Sequence, residues 1–135
     1  MQADQTTSNE VANVLTSVFT LHTERKTEEI MALFSPDADV YLIGTAVGDR
    51  RMGQKAIREQ LVSDFSDSGD YTFELQNLLV STSGNIAWVA ADAVHHNTVG
   101  GKRVESSARL TAVLENRDGK WLICQWHKSR PYNSD

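Results

Sequence analysis

Most of the residues able to do chemistry lie in the second half of the sequence: Asp92, the adjacent His95 and His96, Arg109, and the run Trp126-His127-Lys128. An aspartate facing an arginine can orient a substrate or move a proton, though cross-strand ion pairs are also common structural elements. Adding Lys128 to that pair leaves surplus positive charge, which suits a carboxylate or a developing oxyanion. Trp88 and Trp126 supply flat apolar walls that either pack a core or clasp a flat ligand. His95 and His96 are neighbours on a strand and so point to opposite faces, which prevents them from chelating one metal. Asp37 and Asp39 resemble a paired-carboxylate site only superficially, since Pro-Asp-Ala-Asp is a turn sequence. Cys124 sits among apolar neighbours where thiolate formation is disfavoured. As the only cysteine, it excludes an intrachain disulfide and a cysteine zinc site, and it fits a reducing compartment, read as the cytoplasm.

These groups can act together only if strand register brings them together. From Tyr71 to Ser129 the apolar residues alternate with polar ones, as in strands, and Ser83-Gly84-Asn85, Gly100-Gly101 and Asp118-Gly119 punctuate the run as hairpin turns. A two-residue turn at Gly100-Gly101 pairs Asp92 with Arg109, His96 with Glu105, Ala90 with Thr111 and Trp88 with Val113. The same turn at Asp118-Gly119 pairs Lys128 with Arg109, Trp126 with Thr111 and Cys124 with Val113. One face then carries Trp88, Asp92, Arg109, Thr111, Trp126 and Lys128, the make-up of a pocket lining. On this reading Asp92 is the candidate acid/base. Trp88, Arg109, Thr111, Trp126 and Lys128 hold a ligand, with Tyr41 reaching them from an earlier strand. The other face carries Ala91, Leu110, Ala112 and Ile123 with His127 toward one end, and is expected to meet a second copy in a homodimer. His127 is accordingly read as an interface histidine rather than a base.

The first half supplies helices. Val11, Val14, Leu15, Val18 and His22 recur at helical spacing after a Ser8-Asn9-Glu10 start. A short helix over 27–34 follows, with Glu28 and Glu29 in its first turn and Ser35-Pro36 ending it. Val40–Ile43 reads as a strand, and Gly44–Arg51 as a loop without a phosphate-binding pattern. Ala56, Ile57, Leu61 and Phe65 mark a third helix closed by Ser66-Asp67-Ser68-Gly69-Asp70. Helices first and an antiparallel sheet afterwards predict one α+β domain over 8–131, helices on one face, with 1–7 and 132–135 as flexible termini.

Composition bounds the function. At 135 residues and 40% hydrophobic content, one core suffices without staples. Thirteen Lys+Arg against 18 Asp+Glu give a net charge of −5, which argues against a nucleic-acid or anionic-membrane binder. The polar start MQADQTTSNE does not read as a signal peptide, and no apolar run is long enough to span a bilayer.

The segments LFSPDADVYLIG, GQKAIREQL and DGKWLICQWHKSRP resemble the SnoaL-like members of the nuclear transport factor 2-like (NTF2-like) superfamily over residues 8 to 131. That resemblance implies a strongly curved antiparallel sheet wrapped in a cone around N-terminal helices, of the cystatin-like kind, with an internal pocket and dimerisation through the sheet. It leaves function open among isomerases, cyclases, epoxide hydrolases, dehydratases and association modules. The chain also resembles ketosteroid isomerase, whose catalytic positions fall at Val18, about Leu42 and about Thr111. None of the three residues is retained, so steroid isomerisation is not expected. The closing Trp126-His127-Lys128-Ser129 resembles the association domain of calcium/calmodulin-dependent kinase II. That family's pocket arginines fall near Ala90, Val104 and Lys128, so one cation survives, with Arg109 as a stand-in for another. The reading favoured is a pocket protein for a small apolar molecule bearing an anionic or carbonyl group, with no cofactor. The alternatives are a cofactor-independent isomerase, cyclase or dehydratase using Asp92, and an oligomerising association module.

Overall fold

The computed structural model describes residues 1–67 and 69–132, so Ser68 of the expected helix-closing loop and 133–135 of the expected C-terminal tail lie outside the described residues. Helix α1 spans Gln5–Thr23 and starts earlier than the Ser8 signal suggests. The reason is Asp4, whose carboxylate accepts the Thr7 N–H at 2.8 Å and so caps the first turn. Residues 1–7, expected to be a loose terminus, are therefore tied down: they form this cap and first turn, and Ala3 N–H donates to the Val80 carbonyl at 3.0 Å. Helix α2 spans Thr27–Met31 and continues as turns to Phe34, and α3 spans Gln54–Asp67. The Gln54 side chain donates to the Ser35 carbonyl at 3.1 Å, fixing α3 to the end of the α2 segment.

Strands β1 (Tyr41–Ile43), β2 (Arg50–Met52), β3 (Tyr71–Ser83), β4 (Ile86–Val99), β5 (Lys102–Arg117) and β6 (Lys120–Ser129) form one sheet among the described residues, ordered β2-β1-β6-β5-β4-β3. It is mixed rather than wholly antiparallel, because β1 runs parallel to β6. The stretch expected as loop folds back as a small hairpin: Gly44 N–H donates to Asp49 O at 2.8 Å and Gly48 adopts φ +82, so β2 pairs with β1. Asp37 and Asp39 lie in the expected bend and turn, with Asp37 paired to Arg117.

Both hairpin turns have positive φ at their two central residues, Gly100 and Gly101 at 57 and 78, Asp118 and Gly119 at 54 and 85. The β4–β5 register is as expected: Trp88 opposite Val113, Ala90 opposite Thr111, Asp92 opposite Arg109 and His96 opposite Glu105. The β5–β6 register is not. It starts as expected, Leu114 opposite Ile123, and then slips so that Val113 faces Gln125. Cys124 is the extra residue of a bulge, and a one-residue slip turns every later side chain to the other face. Trp126 now lies opposite Ala112 and Lys128 opposite Leu110. A second bulge in β3, with Asn77 at φ 53, falls between Gln76 and Leu79.

The helices cover the face that carries Val89, Ala93, Leu110, Ala112, Leu114, Ile123 and Trp126, and with Val11, Leu15, Phe19, Ile30, Phe34 and Ile57 these form one buried cluster. The apolar face expected to meet a second subunit is thus the inside of the protomer, with Leu110 and Ile123 fully buried and Ala91 and Ala112 buried as well. This corrects the interface expectation for Ala91, Leu110, Ala112 and Ile123. Covering that face with the chain's own helices removes more apolar area from water than a flat contact would.

Candidate functional site

Between α1, α3 and the helix-covered face of the sheet lies a cavity of about 490 Å³. Val18, Phe19 and His22 line it from α1, Leu61 and Asp64 from α3, Tyr71 and Phe73 from β3, His95 from β4, and Trp126 and Lys128 from β6. Its aromatic wall is a continuous stack. Phe19 lies on Phe73 at 4.8 Å between centroids, Phe73 on His95 at 4.8 Å, and Trp126 meets Phe19 edge-on at 5.6 Å.

Lys128 reaches into this wall. Its Nζ stands 4.2 Å from the Phe73 centroid and 5.9 Å from that of Phe19, a cation–π arrangement. Among the described residues no carboxylate oxygen comes within 4.0 Å of it. Burial pushes its ammonium down to about 8, Arg130 adds to the effect, and Asp64 opposes it. Burial likewise raises the Asp64 carboxyl, while the Gln60 amide, donating at 2.8 Å, pulls the other way. His95 is lowered by burial and then by Lys128.

His22 is held neutral, lowered to about 4 by burial first and by Lys128 and Arg25 after it. The Tyr71 hydroxyl donates to the His22 carbonyl at 2.9 Å and stands 2.6 Å from His22 Nδ1. A hydroxyl has one proton, so the pattern that satisfies both contacts puts the imidazole proton on Nδ1, donating to the Tyr71 oxygen. Nε2 is then an unprotonated acceptor. The cavity therefore combines the Lys128 amine in an apolar setting, the His22 and His95 imidazoles, both lowered by burial, and the Asp64 carboxyl, raised by it. Such a set orients a carboxylate or carbonyl end and holds a flat apolar body against rings.

Of the residues expected to bind ligand, Trp126 and Lys128 line this cavity. Trp88, Arg109, Thr111, Tyr41 and Asp92 do not, and by register they share the opposite, outer face of the sheet. The Cys124 bulge separates the two groups. Asp92 accepts a hydrogen bond from the Asn77 side chain at 2.7 Å, and Arg109 donates to the Arg130 carbonyl at 3.3 Å. The pair is adjacent in register but forms no ion pair within 4.0 Å among the described residues, so Asp92 is not an acid/base in the cavity. His127 also lies on the outer face, opposite Thr111, and is half-buried. His95 faces the cavity while His96 stands outside between Glu74 at 3.6 Å and Glu105 at 3.8 Å, the opposite orientations expected of strand neighbours. Among the described residues no group of three or more His, Cys, Asp or Glu is arranged to hold a metal.

Sequence reasoning did not select Phe19, His22, Asp64, Tyr71, Phe73 or His95 for the site. A signal existed for His22, a polar residue on the apolar stripe of α1, and for Tyr71 and Phe73, which alternate inward at the start of β3.

An α+β domain with helices on one face of a six-stranded mixed sheet and a cavity between them has the NTF2-like, cystatin-like fold. Residues 11–133 match the SnoaL-like domain, and the chain belongs to that family. Among solved structures it is similar to a candidate dehydratase of the NTF2-like family from Streptomyces avermitilis, with a TM-score of 0.83 and 18% identity over 95% of this chain and 98% of that one. It is also similar to the calcium/calmodulin-dependent kinase II hub homology domain of Chlamydomonas reinhardtii, with a TM-score of 0.80 and 20% identity over 93% and 99% of the two chains. A protein of unknown function from Nostoc punctiforme with a cystatin-like fold aligns with a TM-score of 0.82 and 14% identity over 97% and 96%. No curated protein matches the sequence. At these identities the likeness establishes fold, and the chemistry must be argued from the cavity itself.

Proposed function

We propose that this protein binds a small, largely apolar molecule whose anionic or carbonyl end meets Lys128. One observation carries the reading: a half-buried ammonium stands over Phe73 with no carboxylate within 4.0 Å among the described residues. Desolvating a charge is costly, and an anionic ligand group offsets that cost while the aromatic wall receives the rest of the molecule. The test uses 2-naphthoate, a flat carboxylate, with binding followed by calorimetry. Lys128→Met is expected to weaken it by roughly tenfold or more, the worth of one charge-assisted hydrogen bond. Equal affinity in the variant would overturn the assignment of Lys128 as anchor. Binding is also expected to weaken as pH rises through about 8, where the amine loses its charge.

A second reading, association, is favoured by the outer face of the sheet. By register Trp88, Val113, Gln125, Tyr41 and Met52 form one row across it, with Leu79 and Ala90 in the next. Trp88, Leu79 and Met52 are 38%, 52% and 62% exposed, an apolar stripe of the kind that marks an interaction surface. This face supports a homodimer, with the contact on the side opposite to the one read from sequence. The two readings are compatible, since they use different faces of the same strands. The lone Cys124, its thiol pushed up by burial, fits a reducing compartment such as the cytoplasm.

A further inference from the structure

The anchor proposed for the ligand has a property that an anion site does not require. An ammonium that serves only to bind anions does its work best when fully charged, and a carboxylate partner or an open position at the surface would keep it so. Lys128 has neither: its nearest assigned neighbours are the faces of Phe73 and Phe19, and it is half-buried within the cavity. The other titratable groups lining the cavity are His22 on α1, Asp49 before β2, Asp64 on α3, Asp70 before β3, His95 on β4 and Arg130 after β6, with the Tyr71 hydroxyl engaged by His22. Apolar rings around a lysine are the setting in which an amine becomes a nucleophile.

We propose that Lys128 Nζ forms a covalent imine with the carbonyl carbon of a small aromatic or apolar aldehyde or ketone held in the cavity. The proposal rests on the binding reading above and narrows its ligand to the carbonyl class. The nitrogen lone pair adds to the carbonyl carbon, forming the C–N bond as the C=O π pair moves to oxygen. A proton passes from nitrogen to that oxygen, giving a neutral carbinolamine. Protonation of its hydroxyl lets water depart as the nitrogen lone pair closes the C=N bond. The nitrogen keeps its remaining proton, so the product is the protonated imine, and the net change is amine plus carbonyl plus one proton giving iminium plus water. No oxidant or reductant is consumed. Asp64, which lines the same cavity, is the candidate proton donor, because burial raises its carboxyl above its ordinary value. Burial also holds Lys128 at about 8, leaving a neutral fraction of amine near neutral pH.

The test is reductive trapping. Wild-type protein is incubated with 2-naphthaldehyde and sodium cyanoborohydride at neutral pH, and the labelled lysines are located by peptide mass mapping. Lys128 is expected to label roughly tenfold or more faster than Lys26, Lys55, Lys102 and Lys120, since it stands among the cavity's rings with its pKa lowered by burial while they are exposed at the surface outside the cavity. Lys128→Arg is expected to lose that adduct, and the wild-type map stands by itself should the variant fold poorly. If 2-naphthoate binds but Lys128 labels no faster than the exposed lysines, the imine is overturned while the binding reading stands. If the carboxylate does not bind and Lys128 does not react, both fall.

Discussion

Lys128 and His22 are both half-buried bases, and the direction of each shift fixes how stability depends on pH. For Lys128 the folded-state pKa of about 8 lies below its ordinary value of 10.5. Between those values the unfolded chain binds more protons, so this group's contribution is fully present above about 10.5 and is lost as pH falls to about 8. Near neutrality the fold therefore carries the whole cost of a buried charge, on the order of 3 kcal/mol by linkage. Lys128→Met is expected to raise the urea midpoint at neutral pH by the equivalent of about 1–3 kcal/mol while it weakens 2-naphthoate binding. A variant that lost both stability and binding would mark Lys128 as a structural residue. For His22, lowered from 6.5 to about 4, stability is full above about 6.5 and declines as pH falls toward 4. An NMR titration should find this imidazole protonating near 4 rather than near 6.5, with acid destabilisation in the same window. Neither shift was legible in the sequence, because both arise first from burial, which residues distant along the chain provide.

Strand register explains which parts of the site could be read in advance. The Gly100-Gly101 and Asp118-Gly119 turns announce themselves through residues that tolerate positive φ, and counting outward from them gives the right partners until a bulge intervenes. Past Cys124 the count is off by one, which sent Trp88 and Trp126 to one face when the fold puts them on two. The sign of each bulge is a three-residue step in an otherwise alternating inward series, Ile123 to Trp126 in β6 and Leu75 to Leu78 in β3. Deleting Cys124 is expected to straighten β6 while keeping Trp126 inward, because Ile123, Gln125 and Trp126 then alternate in, out, in; tryptophan fluorescence should stay in its buried range, and a shift to the red would refute the bulge assignment. Asn77→Val should cost about 1–2 kcal/mol in chemical denaturation, since a β-branched residue fits poorly at its φ of 53. β2 was hidden for a different reason: its pairing depends on a turn among small residues, Gly44 to Gly48, with no apolar alternation to flag it.

For the molecule as a whole, the α+β class and the grouping of helices on one face follow from the order of the two periodicities. Which face they cover did not follow, since a flat apolar surface suits a helix layer and a second subunit equally well from sequence alone. With the helices on Ala112 and Leu110, the surface left for association is the row through Trp88 and Tyr41. Trp88→Glu is expected to shift the proposed dimer to the 15.0 kDa monomer in equilibrium sedimentation, while 2-naphthoate affinity is retained. A wild type that sediments only as monomer would remove the dimer. The sheet stands between that row and the cavity, so two copies joined back to back would fill their separate hollows from opposite sides. Occupancy should then climb as a plain hyperbola with a Hill coefficient close to unity, each half of the pair indifferent to whether the other is loaded.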